Sequence, residues 1–230
     1  MERANERYVK TVKFLNKTFD FINEKFFANE LQKVVITIQA DEKNKAYGWF
    51  TLKKVWKWTE EVPANCADCS DRDNCDNYSN CLQIKEREAH ELNISAQFLN
   101  RPMLDICETM LHEMCHLYAS QNALKDCSRS GTYHNKLFKQ IAEKHGLNCE
   151  CVKTIGWSAT SLTDESKAIL QAFLDQNKEV VIYRSPKVNG VKIKSSSTRK
   201  YICPICGMSV RATKEVRLIC ADCNEPMTEE

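Results

Sequence analysis

His112-Glu113-Met114-Cys115-His116 is the stretch on which the reading of this chain turns. It has the form H-E-x-x-H. On a helix, residues four apart lie about 40° apart around the axis, so both imidazoles point the same way. Two convergent imidazoles are half of a tetrahedral zinc site, and the glutamate between them is placed to take a proton from a water at the metal. The flanks predict the helix. Asn100 suits an N-cap, Pro102 suits a first turn, and Asp105 and Glu108 suit the positive end of the helix dipole. Leu104, Cys107, Leu111, Met114 and Tyr118 recur at three- and four-residue steps. The predicted helix runs from 101 to 121, with Gln121-Asn122 as its stop.

A catalytic zinc takes three protein ligands and keeps one position open. The metzincin spacing needs a glycine at 119 and a histidine at 122, where this chain has Ala119 and Asn122. Two candidates for the third ligand remain, His134 and Glu143. They lie on opposite sides of a second predicted helix, 133–146, so only one faces the metal. His134 is on the side marked by Leu137, Phe138 and Ile141. Gly131 permits a tight turn before it and Thr132 suits a cap, which places His134 in a first helical turn. His90 stands in a polar run and His145 suits a helix C-terminus, where a cation is favoured; neither is assigned a metal role.

The H-E-x-x-H stretch, Ser128-Arg129-Ser130-Gly131-Thr132-Tyr133-His134, Phe138 and the preceding Glu91-Leu92-Asn93-Ile94-Ser95 together resemble the SprT-like metalloproteases, relatives of the Spartan proteases. The resemblance spans roughly 5–160, with a second match at the C-terminus. It implies a zincin-type fold, zinc on His112, His116 and His134, and Glu113 as the base. It also implies proteins held on DNA as substrates. Where many relatives have a glycine after the third histidine, this chain has Asn135.

The 13 cysteines are an odd number, and several stand in C-x-x-C pairs, which favours metal thiolates in a reducing compartment over a disulfide framework. Cys203, Cys206, Cys220 and Cys223 form C-x2-C, 13 residues, C-x2-C, the spacing of a zinc ribbon. So short a segment cannot bury a core, and structural zinc must supply its folding energy, about 10–16 kcal/mol in small fingers. Cys66, Cys69, Cys75 and Cys81 stand in a polar insert, 62–84, and suit an additional structural metal, with zinc preferred to an iron–sulfur cluster. Cys107 and Cys115 read as core thiols. Cys149 and Cys151 offer two ligands, short of a site.

Net charge is +2, so the chain as a whole is no polycation. From Lys178 to Arg217, however, ten Lys or Arg stand against two Glu. Lys192, Lys194, Arg199, Lys200, Arg211 and Arg217 are the candidate nucleic-acid contacts, which would hold phosphate backbone without sequence preference. No apolar run is long enough for a membrane span, and no targeting signal is evident, so the expected location is the cytoplasm.

The expected fold class is α+β: a zincin-like metalloprotease domain, its small sheet packed on the motif helix, with a C-terminal zinc ribbon. The domain takes 1–180, a basic linker 181–199 and the ribbon 200–230. The expected elements are a helix at 5–28, strands at 33–40, 46–56 and 91–95, the two motif helices, a strand at 156–162 and a helix at 164–175. Tyr8, Val12, Leu15, Phe19, Ile22 and Phe26 mark the core face of the first helix. Tyr47-Gly48-Trp49-Phe50 reads as core, with a cleft wall as the alternative. Tyr118 and Tyr133 are possible helpers at the reacting carbonyl. Two other functions remain open: a nucleic-acid-binding zinc protein with an idle hydrolase domain, and a zinc hydrolase of small amides.

Overall fold

The structure is a computed structural model that describes residues 3–40, 46–63, 82–178, 181–185 and 198–230. The chain divides into two compact units, Met1–Pro186 and Lys187–Glu230. The first is a mixed α and β unit. Its elements are α1 (Ala4–Phe27), β1 (Val35–Thr37), β2 (Gly48–Phe50), β3 (Trp56–Pro63), β4 (Leu82–Ala89), β5 (Glu91–Ile94), α2 (Met103–Gln121), β6 (Cys127–Ser128), β7 (Tyr133–His134), α3 (Lys136–Lys144), β8 (Leu147–Val152), β9 (Gly156–Leu162) and α4 (Asp164–Gln176). The second unit holds β10 (Arg199–Ile202), β11 (Ser209–Ala212), β12 (Ile219–Cys220), β13 (Glu225–Pro226) and β14 (Thr228–Glu229).

The motif helix α2 is the centre of the first unit. Ile106, Cys107, Met110, Leu111, Met114, Cys115, Leu117 and Ala119 are all fully buried. A helix apolar on nearly all sides must lie inside, and each large side chain so buried contributes about 1.5–3 kcal/mol. The expected cap at Asn100 is not used. Pro102 takes the N-cap position, with extended ψ and no side-chain hydrogen bond, because the segment before it forms a short 3-10 turn, Ala96–Phe98. Helix α1 packs Phe14, Leu15, Phe19, Ile22 and Phe27 into the same core. The expected stripe is therefore rotated: Tyr8 is 44% exposed, and Phe27, not Phe26, is fully buried.

Two small sheets flank α2. The first has the order β1-β5-β2, with β1 parallel and β2 antiparallel to the buried β5. Asn93 of β5 is fully buried, and its Oδ1 accepts from the Thr37 hydroxyl (2.9 Å) and the Gln39 N–H (2.7 Å), which fastens the loop after β1. Residues 47, 49 and 51 form the hydrogen-bonded pairs with β5, as the Thr51 N–H to Glu91 O and Ser95 N–H to Tyr47 O bonds show. Gly48 and Phe50 then turn their backbone groups to the open edge.

The second sheet has the order β6-β7-β9-β8. His134 lies in β7, not in a first helical turn. Helix α3 starts two residues later, and its cap is Asn135, whose side chain accepts from the Leu137 and Phe138 N–H groups. Thr132 donates instead to Arg129 O within the preceding turn. The residue that stands where many relatives have glycine is thus the helix cap. At the far end, His145 is not a cation. It is buried, its ring stacks on Phe27 at 4.2 Å, its Nδ1–H donates to Phe26 O, and burial lowers its pKa.

An antiparallel hairpin, β3–β4, runs in full register from Trp56↔Ala89 to Pro63↔Leu82. Nearly every residue in it is exposed, Trp56, Trp58, Leu82 and Ile84 included, so its short apolar–polar alternation marks no core face. The candidate ligands Cys66, Cys69, Cys75 and Cys81 lie outside the described residues. In the second unit, β10 is the centre of a three-stranded sheet with β11 and β14, and β12 pairs with β13. Lys192 and Lys194 also lie outside the described residues.

Candidate metal centre and cleft

Helix α2 supplies His112 and His116 one turn apart, and β7 brings His134 across to them. The Nε2 atoms of His112 and His134 are 3.2 Å apart, and those of His116 and His134 are 3.1 Å apart. The edge of a tetrahedron with 2.0–2.1 Å zinc–nitrogen arms is about 3.3–3.4 Å, so the spacing fits a zinc ion between them. Three imidazole nitrogens turned towards one point cannot all satisfy one another by hydrogen bonding; a cation can satisfy all three. Phe138 packs against all three rings at 4.6–4.7 Å and keeps that side of the cluster dry.

Two of the rings are held from behind. His116 Nδ1–H donates to the Asp126 carboxylate at 2.5 Å, and His112 Nδ1 is 3.2 Å from Thr160 Oγ1 on β9. Such contacts fix the tautomer that leaves Nε2 free for a metal. Burial and the neighbouring imidazoles hold His112 well below its usual pKa and His134 at about 4, so both are neutral with lone pairs available. Burial also opposes charge on His116, but Asp126, with help from Cys127 and Glu113, outweighs it and raises this pKa to about 10. Cys127 Sγ stands 4.0 Å from His116 Nδ1. His134 is held through its backbone: its N–H donates to Ile155 O, and Gly156 is its partner in the parallel pairing of β7 with β9.

Glu113 is buried beside this cluster, and burial pushes its pKa up to about 7, in the range where a carboxylate both takes and returns a proton at neutral pH. Its carboxylate meets the Phe50 backbone N–H, and its Cγ lies close to Gly48, so β2 and the catalytic candidate touch. His112, Glu113, His116, Asp126, Cys127, His134 and Thr160 line one cleft of about 1090 Å³. Tyr47, Gly48, Trp49 and Phe50 form one wall of it, the alternative to the core reading of these aromatics. Arg101, whose guanidinium lies 4.0 Å above the Tyr47 ring, lines it too. Tyr118 and Tyr133 do not line it. Tyr118 packs between Phe27 and His145, and Tyr133 lies under Arg129. Glu143 also stays outside, paired with Lys139 on the outer face of α3.

Several of these residues escaped sequence reasoning. Asp126 stands in no motif, and its separation of ten residues from His116 follows no helical spacing. Thr160 and Gly156 belong to a strand that was expected, but nothing in its sequence ties it to the metal centre.

In the second unit the four ribbon cysteines come together, with their sulfur atoms within 4.8 Å of one another. Cys206 and Cys220 sulfurs are 3.7 Å apart, close to the edge of about 3.8 Å for a tetrahedron with 2.3 Å zinc–sulfur arms. The backbone N–H of Cys206 holds the Cys203 thiol down at about 7. Gly207 at φ 72° turns the chain so that its N–H donates to Cys203 O. Arg199 and Lys200 are not open cations: they pair with Glu229 and Glu230. Arg211 and Arg217 are exposed. Over 198–230, Arg199, Lys200, Arg211, Lys214 and Arg217 are matched one for one by Glu215, Asp222, Glu225, Glu229 and Glu230. Cys149 is half-buried and Cys151 exposed, two residues apart on β8, and no described cluster includes them.

A mixed α and β domain with three converging imidazoles and a buried carboxylate in one cleft defines a metalloprotease-like protein. The chain belongs to the SprT-like family, whose model matches residues 15–155. Searches of curated proteins and of solved structures returned no match. No described helix is long and apolar enough to cross a membrane.

Proposed function

We propose that this protein is a zinc-dependent endopeptidase with a zincin-like catalytic domain. The observation that carries the reading is the approach of the His134 Nε2 to within 3.2 Å of both motif imidazoles, with the Glu113 carboxylate buried beside them. His112, His116 and His134 would hold the ion. Zinc, when bound, lowers the pKa of a water towards about 7 and polarises a carbonyl. Glu113 takes the proton from the attacking water and returns it to the leaving amine. Asp126 and Thr160 keep the two motif rings turned inward. β2 lines the cleft, so the backbone of Gly48 and the Phe50 carbonyl can pair with an extended peptide and hold it across the site, while the Phe50 N–H stays with Glu113. A structural site needs no such carboxylate and no such strand edge, which argues against an idle domain. The Cys203, Cys206, Cys220, Cys223 cluster would hold a structural zinc, and the insert cysteines Cys66, Cys69, Cys75 and Cys81 a further one.

The substrates we propose are proteins bound to or crosslinked on DNA in the cytoplasm. This rests on the family and on the basic stretch from Lys178 to Arg217. The pairing of Arg199 and Lys200 shifts the proposed phosphate contacts towards Lys192, Lys194, Arg211 and Arg217. Cleavage of casein and of a DNA-binding protein, with and without single-stranded DNA, in zinc and in chelator, tests the reading. Chelator-sensitive cleavage that DNA enhances supports it. Cleavage indifferent to DNA removes the nucleic-acid part, and no cleavage under any condition removes the whole.

A further inference from the structure

Asp126 and Cys127 are adjacent in the chain, yet both reach the same ring nitrogen of His116. Asp126 Oδ2 is 2.5 Å from His116 Nδ1, and Cys127 Sγ is 4.0 Å from it. Sulfur, carboxylate oxygen and ring nitrogen all lie within 4.8 Å of one another. The backbone fixes this placement. Cys127 pairs with His134 across β6 and β7, which sets their side chains on one face, and Asp126 O accepts the Asn135 N–H. Both residues line the cleft, and Cys127 is half-buried, not sealed. The peptidase chemistry uses Asp126 through one oxygen and makes no use of the Cys127 thiol. Asp126 is 4% exposed, and its other oxygen accepts no hydrogen bond among the described residues. A carboxylate has about four lone-pair sites, so a buried one with a single partner is short of partners. The neighbouring sulfur and that spare oxygen are the donors of a soft divalent ion. A tetrahedral zinc with 2.3 Å sulfur and about 2.1 Å oxygen arms sets them about 3.6 Å apart, inside the span of the cluster.

We propose that Asp126 and Cys127 form a second, inhibitory cation site on the cleft wall, which takes a soft divalent ion such as zinc in excess. Water from the cleft completes the coordination. Cys127 gives up its proton to solvent as the ion binds, so thiolate and carboxylate together balance the charge of the ion. The ion shares the charge of Asp126, and the carboxylate then holds the His116 Nδ1–H less firmly. His116 loses the support that turns it towards the catalytic ion, and turnover falls. That loss of turnover rests on the peptidase reading above; the binding of the ion does not.

The test uses the zinc-loaded full chain, freed of excess metal, as wild type, Cys127→Ser and Cys151→Ser. The last removes an exposed cysteine that belongs to no described cluster. Buffered free zinc is raised in steps. Zinc per chain is counted by equilibrium dialysis with elemental analysis, and casein turnover is read as a fraction of each protein's own rate before zinc is added. Wild type and Cys151→Ser should each bind one zinc more than Cys127→Ser. Their turnover should fall about tenfold as that ion binds, the low end of what loss of a ligand's support costs. Cys127→Ser should keep its own rate at the same free zinc. Equal zinc counts in wild type and Cys127→Ser would overturn the proposal and leave the peptidase reading intact. A Cys127-dependent ion that leaves turnover unchanged would overturn it too, because such an ion does not draw on Asp126. A wild-type chain that cleaves no casein at any zinc level, yet binds the Cys127-dependent ion, would overturn the peptidase reading and support the site.

Discussion

Gly156 lies so close to His134 that a Cβ on it would stand 2.0 Å from the His134 carbonyl oxygen and 3.0 Å from Tyr133 Cε1. Gly156 also has φ 73°, a conformation that side chains resist. The third metal-binding candidate is therefore positioned by the absence of a side chain on the neighbouring strand. Gly156→Ala should push β7 away and lower zinc affinity at the histidine site by about 10–100-fold, the range seen when the supports of metal ligands are lost. The four-cysteine cluster is in the other unit and should keep its zinc. Chelator competition followed by elemental analysis separates the two sites. Full retention of both ions would contradict this role for Gly156.

Asp126 should matter nearly as much as a ligand. Asp126→Asn keeps the shape but removes the charge that holds the His116 Nδ1–H. Zinc affinity or turnover should fall about 10–100-fold, with little effect on His134. The same chelator competition reads the first, and casein cleavage at saturating zinc reads the second. If Asp126→Asn matches wild type in both, the carboxylate has no supporting role.

Gly48 sets the distance between the strand edge and the motif helix. A Cβ there would meet Asn93 O at 2.8 Å, Thr109 Cγ2 at 3.0 Å and Glu113 Cγ at 3.4 Å. Gly48→Ala should therefore displace β2 and destabilise the first unit by about 1–3 kcal/mol, as overpacking does. If β2 holds substrate, KM for long peptides should rise more than KM for short ones. Denaturant melts and a peptide-length series check the two effects separately.

His145 gives the first unit a pH dependence. Burial holds its pKa below the ordinary 6.5, so the unfolded chain binds the proton more readily than the folded one. Its contribution is full above about 6.5 and is lost as pH falls through the lower folded value. His145→Gln should be less stable than wild type at pH 7.5, through loss of the bond to Phe26 O and the stack on Phe27. It should also lose less stability between pH 7 and pH 5. Urea midpoints of the two proteins across that range test this; parallel curves would show that His145 does not titrate with unfolding.

Much of the site was legible because its chemistry is local. His112, Glu113 and His116 share one helix, and four cysteines at ribbon spacing need only two turns. Helix α2 was also legible, since its apolar steps repeat over five turns. What the sequence hid depends on chain crossings. Asp126, Gly156 and Thr160 approach the imidazoles only after β6, β7 and β9 pair, and strands of two residues carry no periodic signal. The β3–β4 hairpin is almost wholly exposed, and its alternation at Trp56-Lys57-Trp58 and Leu82-Gln83-Ile84 is too brief, beside charged runs, to announce paired strands of eight residues. Asn135 read as a departure from the family pattern because its cap role follows from where α3 begins, which a motif does not state.

The central claim is that Glu113 moves the proton at a zinc held by His112, His116 and His134. Its most direct test is casein cleavage by wild type and Glu113→Gln, each with zinc counted per chain by elemental analysis. The account predicts equal zinc in both, with turnover in wild type and loss of at least about a hundredfold in the variant, the lower range for a positioned general base. Glu113→Gln that keeps its zinc and cleaves as wild type does would contradict the account.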